Sequence, residues 1–326
     1  MDTQQDESGA GAFGVERPLE PFRHEALLYE GIDGFIERTA PFIQEGVDAS
    51  EPVYAVVSSE KIERLRSVVG DHPDVRYADM AEVGSNPARI IPAWRSFVED
   101  CEASGRPFRG IGEPIWAERT AAELVECERH EALLNLALAG SRGWLLCPYD
   151  TERLPGAVLA EAGLNHPFLW QNGVHTDSPT PRGAEWLEAP FDRPLPEIPL
   201  EAQLISFGAN DLHDVRAFVE ERAVLAGLSR SRTADLLLAA DEVVSNSLRH
   251  GGGRGELRMW SDQDGLLCEI SDTGRILDPL AGRRRPSGTE EQGYGLWLVN
   301  QVCDLVQIRT FPTGSIVRLH VRFDRD

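Results

Sequence analysis

Six prolines fall within the 25 residues "HTDSPTPRGAEWLEAPFDRPLPEIP", from His175 to Pro199. Proline fixes φ and lacks a backbone N–H, so neither a helix interior nor a central strand can run through such a stretch. The chain must therefore fold as separate units on either side of it. Residues 177–200 read as a stiff, partly extended linker. At 326 residues the chain is long enough for two domains, each with its own core. Residues 1–20, rich in Gly, Asp, Glu and Gln, read as a disordered tail. That leaves folded units over 21–176 and 201–326.

In the first unit, "EPVYAVVSS" and "RGWLLCPYD" read as buried strands: short apolar runs that stop at turn residues. Between them lie the helical stretches "NPARIIPAWRSFVEDCEASG" and "TAAELVECERHEALLNLALAG". Strands alternating with helices imply an α/β domain on a largely parallel sheet. The only lysine, Lys61, sits in "SSEKIERL", and no G-x-x-x-x-G-K-[ST] occurs, which excludes a P-loop nucleotide site.

The second unit runs differently. A strand at "QLISF" precedes two helices, "NDLHDVRAFVEERAVLAGL" and about 231–250. Strands at "ELRMW" and "LLCEISD", a loop over 273–292, a helix at "GLWLVNQVCD" and two final strands follow. This order implies an α/β sandwich, a mixed sheet with helices on one face. On the second helix, Leu236, Leu237, Ala240, Val243, Val244 and Leu248 form one apolar arc, with Glu242, Asn246 and Arg249 opposite. By periodicity alone that polar arc is an ordinary solvated face.

Three motifs taken in order say more. Glu242-x-x-x-Asn246 comes first; "SDTG" ends a strand at Asp272 with Gly274 just beyond; "GYGLWLV", from Gly293 to Val299, opens a helix with a glycine pair. Together they resemble the Bergerat-type ATP-binding fold shared by gyrase, Hsp90, histidine kinases and MutL. The pattern E-x-x-x-N-x-x-x-H-G, met here by Glu242, Asn246, His250 and Gly251, is similar to anti-sigma-factor serine kinases of the RsbW and SpoIIAB type.

That resemblance implies ATP and Mg²⁺ as ligands. The Asn246 carbonyl suits Mg²⁺, a hard cation that takes oxygen ligands, and Glu242, one turn earlier, suits a general base for an attacking hydroxyl. The resemblance further implies Asp272 as acceptor for the adenine amino group, Gly274 as room for the base, and Ser315 as a support for Asp272. Amides around Gly293, Gly295 and Leu296, at a helix N-terminus, suit phosphate oxygens. Two departures stand out. Arg275-Ile276 replaces a further glycine after Gly274, and the lid carries Arg283, Arg284 and Arg285. Arg284 there is either a γ-phosphate contact or part of a solvated basic loop.

The phrases "HEALLY", "FRGIGEPIW", "HEALLNLAL", "LLCPYD" and "HP" in the first unit resemble the MEDS sensory domain, a RecA-like relative without a Walker motif. The resemblance implies that a small-molecule signal acts there. Glu113, Trp116, Cys147 and Asp150 are candidates for its site, with turn and packing roles as the plain alternative.

The partners implied are a STAS-domain anti-anti-sigma factor, which the kinase phosphorylates, and a sigma factor, which it sequesters; a homodimer remains open. A nucleotide-binding module that acts by docking is the alternative. A histidine kinase is the third reading, suggested by His24-Glu25, His130-Glu131 and His213-Asp214, but the proline-rich stretch stands where its dimerising hairpin belongs. The net charge of −22, from 32 basic and 54 acidic residues, argues against direct nucleic-acid or anionic-membrane binding. Cys101, Cys127, Cys147, Cys268 and Cys303 are scattered with no C-x-x-C pair, which indicates neither a disulfide framework nor a zinc site and fits a reducing cytoplasm. The polar N-terminus does not read as a signal peptide, and no apolar run is long enough to span a bilayer.

Overall fold

A computed structural model describes residues 22–179, 181–182, 193–286 and 294–324. The expected tail, residues 180 and 183–192 of the expected linker, and Gly293 lie outside the described residues.

The N-terminal unit runs β1 (Phe22–Tyr29), α1 (Gly31–Asp48), β2 (Val53–Val57), α2 (Ser59–Val69), β3 (Val75–Asp79), α3 (Met80–Val83) and α4 (Ile90–Ala103). It continues with β4 (Phe108–Gly112), α5 (Ala121–Ala137), β5 (Gly143–Asp150), α6 (Gly156–Asn165), β6 (Phe168–Gln171) and β7 (Val174–Asp177). The strand order is β3-β2-β4-β5-β1-β6-β7, parallel except for the β6–β7 hairpin at the edge. Helices cover both faces, so β2 (VYAVV) and β5 (GWLLCPYD) are apolar almost throughout, as parallel strands buried on two sides must be. Thr120 opens α5 through a reciprocal capping box with Glu123.

The second unit runs β8 (Gln203–Gly208), α7 (Leu212–Ala226), α8 (Arg230–His250), β9 (Arg254–Ser261), β10 (Gly265–Asp272), α9 (Tyr294–Val302), β11 (Leu305–Phe311) and β12 (Gly314–Arg322). Its five strands are ordered β11-β12-β10-β9-β8. Every ladder is antiparallel, which corrects the expected mixed sheet. The connections explain it: β9–β10 and β11–β12 are hairpins, and the helix pair α7–α8 returns the chain to the end of the sheet it left. The helices pack on one face over Leu236, Val243, Val244, Leu257, Cys268 and Leu319.

The other face of this sheet carries Glu269, Gln307, Arg309 and Arg318, all at most 4% exposed. The N-terminal unit covers part of it. Glu126 of α5 pairs with Arg309 (3.0 Å), and Arg129 donates to the carbonyl of Ile308 (3.3 Å). A residue of the expected linker also reaches this face: Arg318, paired with Glu269, donates to the carbonyl of Pro196. Asn86 and Arg89 donate to the carbonyl of Asn300, and Arg89 also to that of Cys303. They satisfy carbonyls that the C-terminal turn of α9 leaves without partners in the helix. Among the described residues no helix is long and apolar enough to cross a membrane.

Candidate functional site

α8 starts where Ser229 caps the Arg232 N–H, and stops at Gly251. Its buried side is Leu236, Ala239, Ala240, Val243, Val244 and Ser247. Glu242 and Asn246 are half-buried rather than solvated, because they face a cavity of about 840 Å³. The size is that of a small-molecule site. The cavity brings together Glu242, Asn246, Asp272, Gly274, Arg284, Gly295, Leu296 and Ser315 from five separate stretches of chain. His250, Gly251 and Arg285 line it as well.

Close approach of backbone explains two of the glycines. A Cβ at Gly251 would sit 2.3 Å from Asp272 Cγ, so only glycine lets the end of α8 rest against that carboxylate. A Cβ at Gly295 would sit 2.8 Å from Glu242 Oε2 and 3.2 Å from Asn246 Nδ2. The N-terminal turn of α9 thus lies directly over the acid–amide pair of α8.

Asp272 ends β10. One carboxylate oxygen accepts from the Gly274 N–H (2.7 Å) and the other from the Ser247 hydroxyl (2.6 Å). The support expected from Ser315 is therefore supplied by Ser247. Ser315 stands opposite Asp272 in the β10–β12 ladder, but its hydroxyl donates to the carbonyl of Gly274 and accepts from the Ile276 N–H. It fixes the loop that carries Gly274. The side chain of Ile276, where a glycine was expected, packs on the core instead.

The basic triplet of the lid divides. Arg284 is exposed, pairs with Asp278 (3.4 Å) and lines the cavity with Arg285. Arg283 turns inward, at 4% exposure, and reaches Glu126 of the N-terminal unit (3.6 Å). Glu126 thereby joins Arg283 at the base of the lid to Arg309 on β11 and Arg129 on its own helix. Sequence reasoning missed this cluster. Its one trace in the sequence is that "ELVECERHEALL" mixes charges with apolar residues on every side, as a helix buried all round does.

The four sensory candidates do not form one site. Glu113, 5% exposed, binds Lys61 through both oxygens (2.6 Å each) and accepts from the Tyr29 hydroxyl (2.6 Å). Burial raises its carboxyl above the ordinary range against the pull of the Lys61 ammonium. Trp116 lies under the Arg119 guanidinium, 3.7 Å from the ring centre. Asp150 accepts from the Glu152 N–H in the turn after β5. Cys147 lies within β5, in the middle of the sheet. Three residues from Asp150, it points to the opposite face. Burial pushes its thiol well above the usual value. Its neighbours there are His24, Glu131 and His166.

Residues 23–167 match the family model described as MEthanogen/methylotroph, DcmR Sensory domain (MEDS), and residues 205–321 match that of the histidine kinase-like ATPase domain. The chain thus carries a MEDS domain followed by a domain of the histidine kinase-like ATPase class. No curated protein matches it. Among solved structures, the RsbU and RsbW domains of Rv1364c from Mycobacterium tuberculosis are 18% identical over 40% of this chain and 34% of that one, with a TM-score of 0.31. Histidine kinase AdeS from Acinetobacter baumannii is 13% identical over 39% of this chain and 70% of that one, with a TM-score of 0.24. The chain spans about a third of the length of the first of these.

Proposed function

We propose that this protein is an ATP-dependent serine/threonine kinase that regulates a sigma factor by partner switching, phosphorylating a STAS-domain antagonist under control of its MEDS domain. The observation that carries the reading is the convergence of Glu242, Asn246, Asp272, Gly274, Gly295 and Arg284 on one cavity. The donor set fits a magnesium nucleotide. Asp272 offers a carboxylate held by two donors, Asn246 an amide oxygen for the metal, and α9 its N-terminal amides for phosphate oxygens. When bound, Mg-ATP supplies the transferable phosphoryl group. Glu242 takes the proton from the partner's hydroxyl, and Arg284 and Arg285 offset negative charge at the mouth.

The MEDS domain acts through α5. Glu126 holds Arg283 beside the cavity-lining residues Gly282 and Arg284, so a displacement of α5 moves the base of the lid. The test is incubation with Mg-ATP and candidate STAS proteins, followed by mapping of the phosphate. Acid-stable phosphoserine or phosphothreonine on a partner, lost in Glu242→Ala, is expected; undiminished transfer by Glu242→Ala refutes the base assignment.

A second reading, nucleotide binding without turnover and regulation by docking, is favoured by the Gly295 backbone lying over Glu242 and by the missing second glycine at Arg275-Ile276. Nucleotide binding without transfer to any partner supports it. A histidine kinase fits less well: His24 and His130 are 1% and 0% exposed, and the exposed His213 opens α7 of the ATPase domain itself rather than a dimerising hairpin before it.

A further inference from the structure

In the MEDS domain four side chains from four elements meet away from the nucleotide cavity: His24 on β1, Glu131 on α5, Cys147 on β5, and His166 directly after α6. None is more than 1% exposed. Their ligand atoms all lie within 4.8 Å of one another. His24 Nε2 is 3.2 Å from Glu131 Oε2 and 3.2 Å from Cys147 Sγ, and His166 Nε2 is 3.2 Å from Glu131 Oε2. Two ligands about 2.1 Å from a tetrahedral zinc ion stand about 3.4 Å apart, so the cluster needs little adjustment to close on one.

Proton bookkeeping says what the cluster lacks. His166 Nδ1 is 2.9 Å from the carbonyl of Ala162, which can only accept, so that nitrogen carries the hydrogen. His24 Nδ1 is 3.1 Å from Asn135 Oδ1, and the Asn135 amide is oriented by its own donation to the carbonyl of Asn165 (2.9 Å). His24 Nδ1 is therefore a donor too. Both rings turn Nε2 on the Glu131 carboxylate at 3.2 Å, and with Nδ1 carrying each ring's hydrogen neither has one to give it. Two imine nitrogens and a carboxylate share a single thiol hydrogen. Buried acceptors facing one another without donors are costly, and a cation at their centre removes that cost. Imidazoles whose other nitrogen is tied to a carbonyl oxygen are the usual setting of metal-bound histidine.

We propose that His24, Glu131, Cys147 and His166 form a four-ligand site for a zinc ion inside the MEDS domain. The mixed nitrogen, sulfur and carboxylate set suits zinc over magnesium or calcium. Binding displaces the Cys147 thiol proton to solvent. The thiolate and carboxylate then balance the two charges of the metal, and the neutral imidazoles complete the shell. Glu131 shares α5 with Glu126, Arg129 and Glu123, which contact β11, β12 and the base of the lid. Metal occupancy is thereby written into the helix that touches the ATPase domain. The site itself does not rest on the kinase reading.

The test uses the full chain, stripped with a chelator and titrated with Co²⁺ and Zn²⁺. One equivalent of cobalt should give a thiolate-to-metal charge-transfer band with intense four-coordinate visible bands, zinc should displace it, and zinc should raise Tm. Cys147→Ser should abolish the charge-transfer band, and Asn135→Ala, which frees the His24 ring, should weaken binding about 10- to 100-fold. A stripped wild-type protein that is folded yet gives no cobalt spectrum and no zinc-dependent Tm overturns the proposal. So does a charge-transfer band that survives in Cys147→Ser. If Cys147→Ser does not fold, Asn135→Ala decides: unchanged affinity places any bound metal elsewhere and overturns the site.

Discussion

Replacing Glu126 by Gln keeps the size of the side chain and removes one negative charge from the junction of the two domains. The carboxylate is 2% exposed and has Arg309 Nη1 at 3.0 Å, Arg129 Nη1 at 3.4 Å and Arg283 Nη2 at 3.6 Å. All three arginines are at most 4% exposed. With the amide in place, Arg283 and Arg309 lose the carboxylate that pairs with both. Removing one member of a buried ionic cluster costs about 3–5 kcal/mol, a large part of a domain's total stability. The exposed pair Arg153–Glu118, at 2.6 Å, is the control. Its charge is well solvated, and Glu118→Gln should change stability by less than about 1 kcal/mol. Urea denaturation is the assay, because guanidinium would screen the charges. Hydrogen exchange over 278–286 reports on the lid, which should open faster in Glu126→Gln once Arg283 loses its anchor. Equal losses in the two variants, or unchanged lid exchange in Glu126→Gln, refute the idea that Glu126 couples the MEDS domain to the nucleotide cavity.

Three further outcomes follow from buried charges and close contacts. His320 on β12 is held at about 4, against an ordinary 6.5, by burial and then by the neighbouring Arg318 guanidinium. Between those values the unfolded chain binds more protons than the folded one, so stability falls as pH drops through this window. The loss is about 2 kcal/mol once partial exposure is allowed for, and His320→Gln should reduce the slope of urea midpoints between pH 7 and 4 by that amount, with buried His24 and His130 keeping their own share. Lys61→Met should cost about 3 kcal/mol by stranding Glu113, and Lys61→Met with Glu113→Gln should recover most of it; a double variant no better than the single one contradicts the pairing. Gly295→Val forces a branched side chain against Glu242 and Asn246, so it should weaken nucleotide binding at least about tenfold with little change in Tm, read by calorimetry and thermal melting.

Much of the architecture was legible because each unit obeys one rule. The apolar runs of β2 and β5 and the glycine at the end of α8 are local signals, and they located their elements within a few residues. The β6–β7 hairpin was equally local. Its turn is Asn172-Gly173, both with positive φ, between "FLWQ" and "VHTD". The pair is a strong hairpin signal, overlooked beside the prolines that follow. The residues that line the cavity between α8 and α9 could be singled out because they fall in ordered motifs. Ser247 was not, since a serine on the buried side of a helix shows no purpose until Asp272 is seen beside it. The junction through Glu126, Arg283 and Arg309, and the cluster of His24, Glu131, Cys147 and His166, join residues up to 183 positions apart with no shared spacing. Cysteine arithmetic finds zinc sites built from cysteine pairs, and it is blind to one in which four elements each give a single ligand.

The central claim is that the cavity beneath Gly295 binds a magnesium nucleotide. Isothermal titration of the full chain with Mg-ATP, compared with Asp272→Asn and Asn246→Ala, tests it most directly. The account predicts one site per chain, loss of measurable binding in Asp272→Asn, and loss of the magnesium dependence in Asn246→Ala. No heat of binding in the folded wild-type protein, or equal affinity in all three, would contradict it.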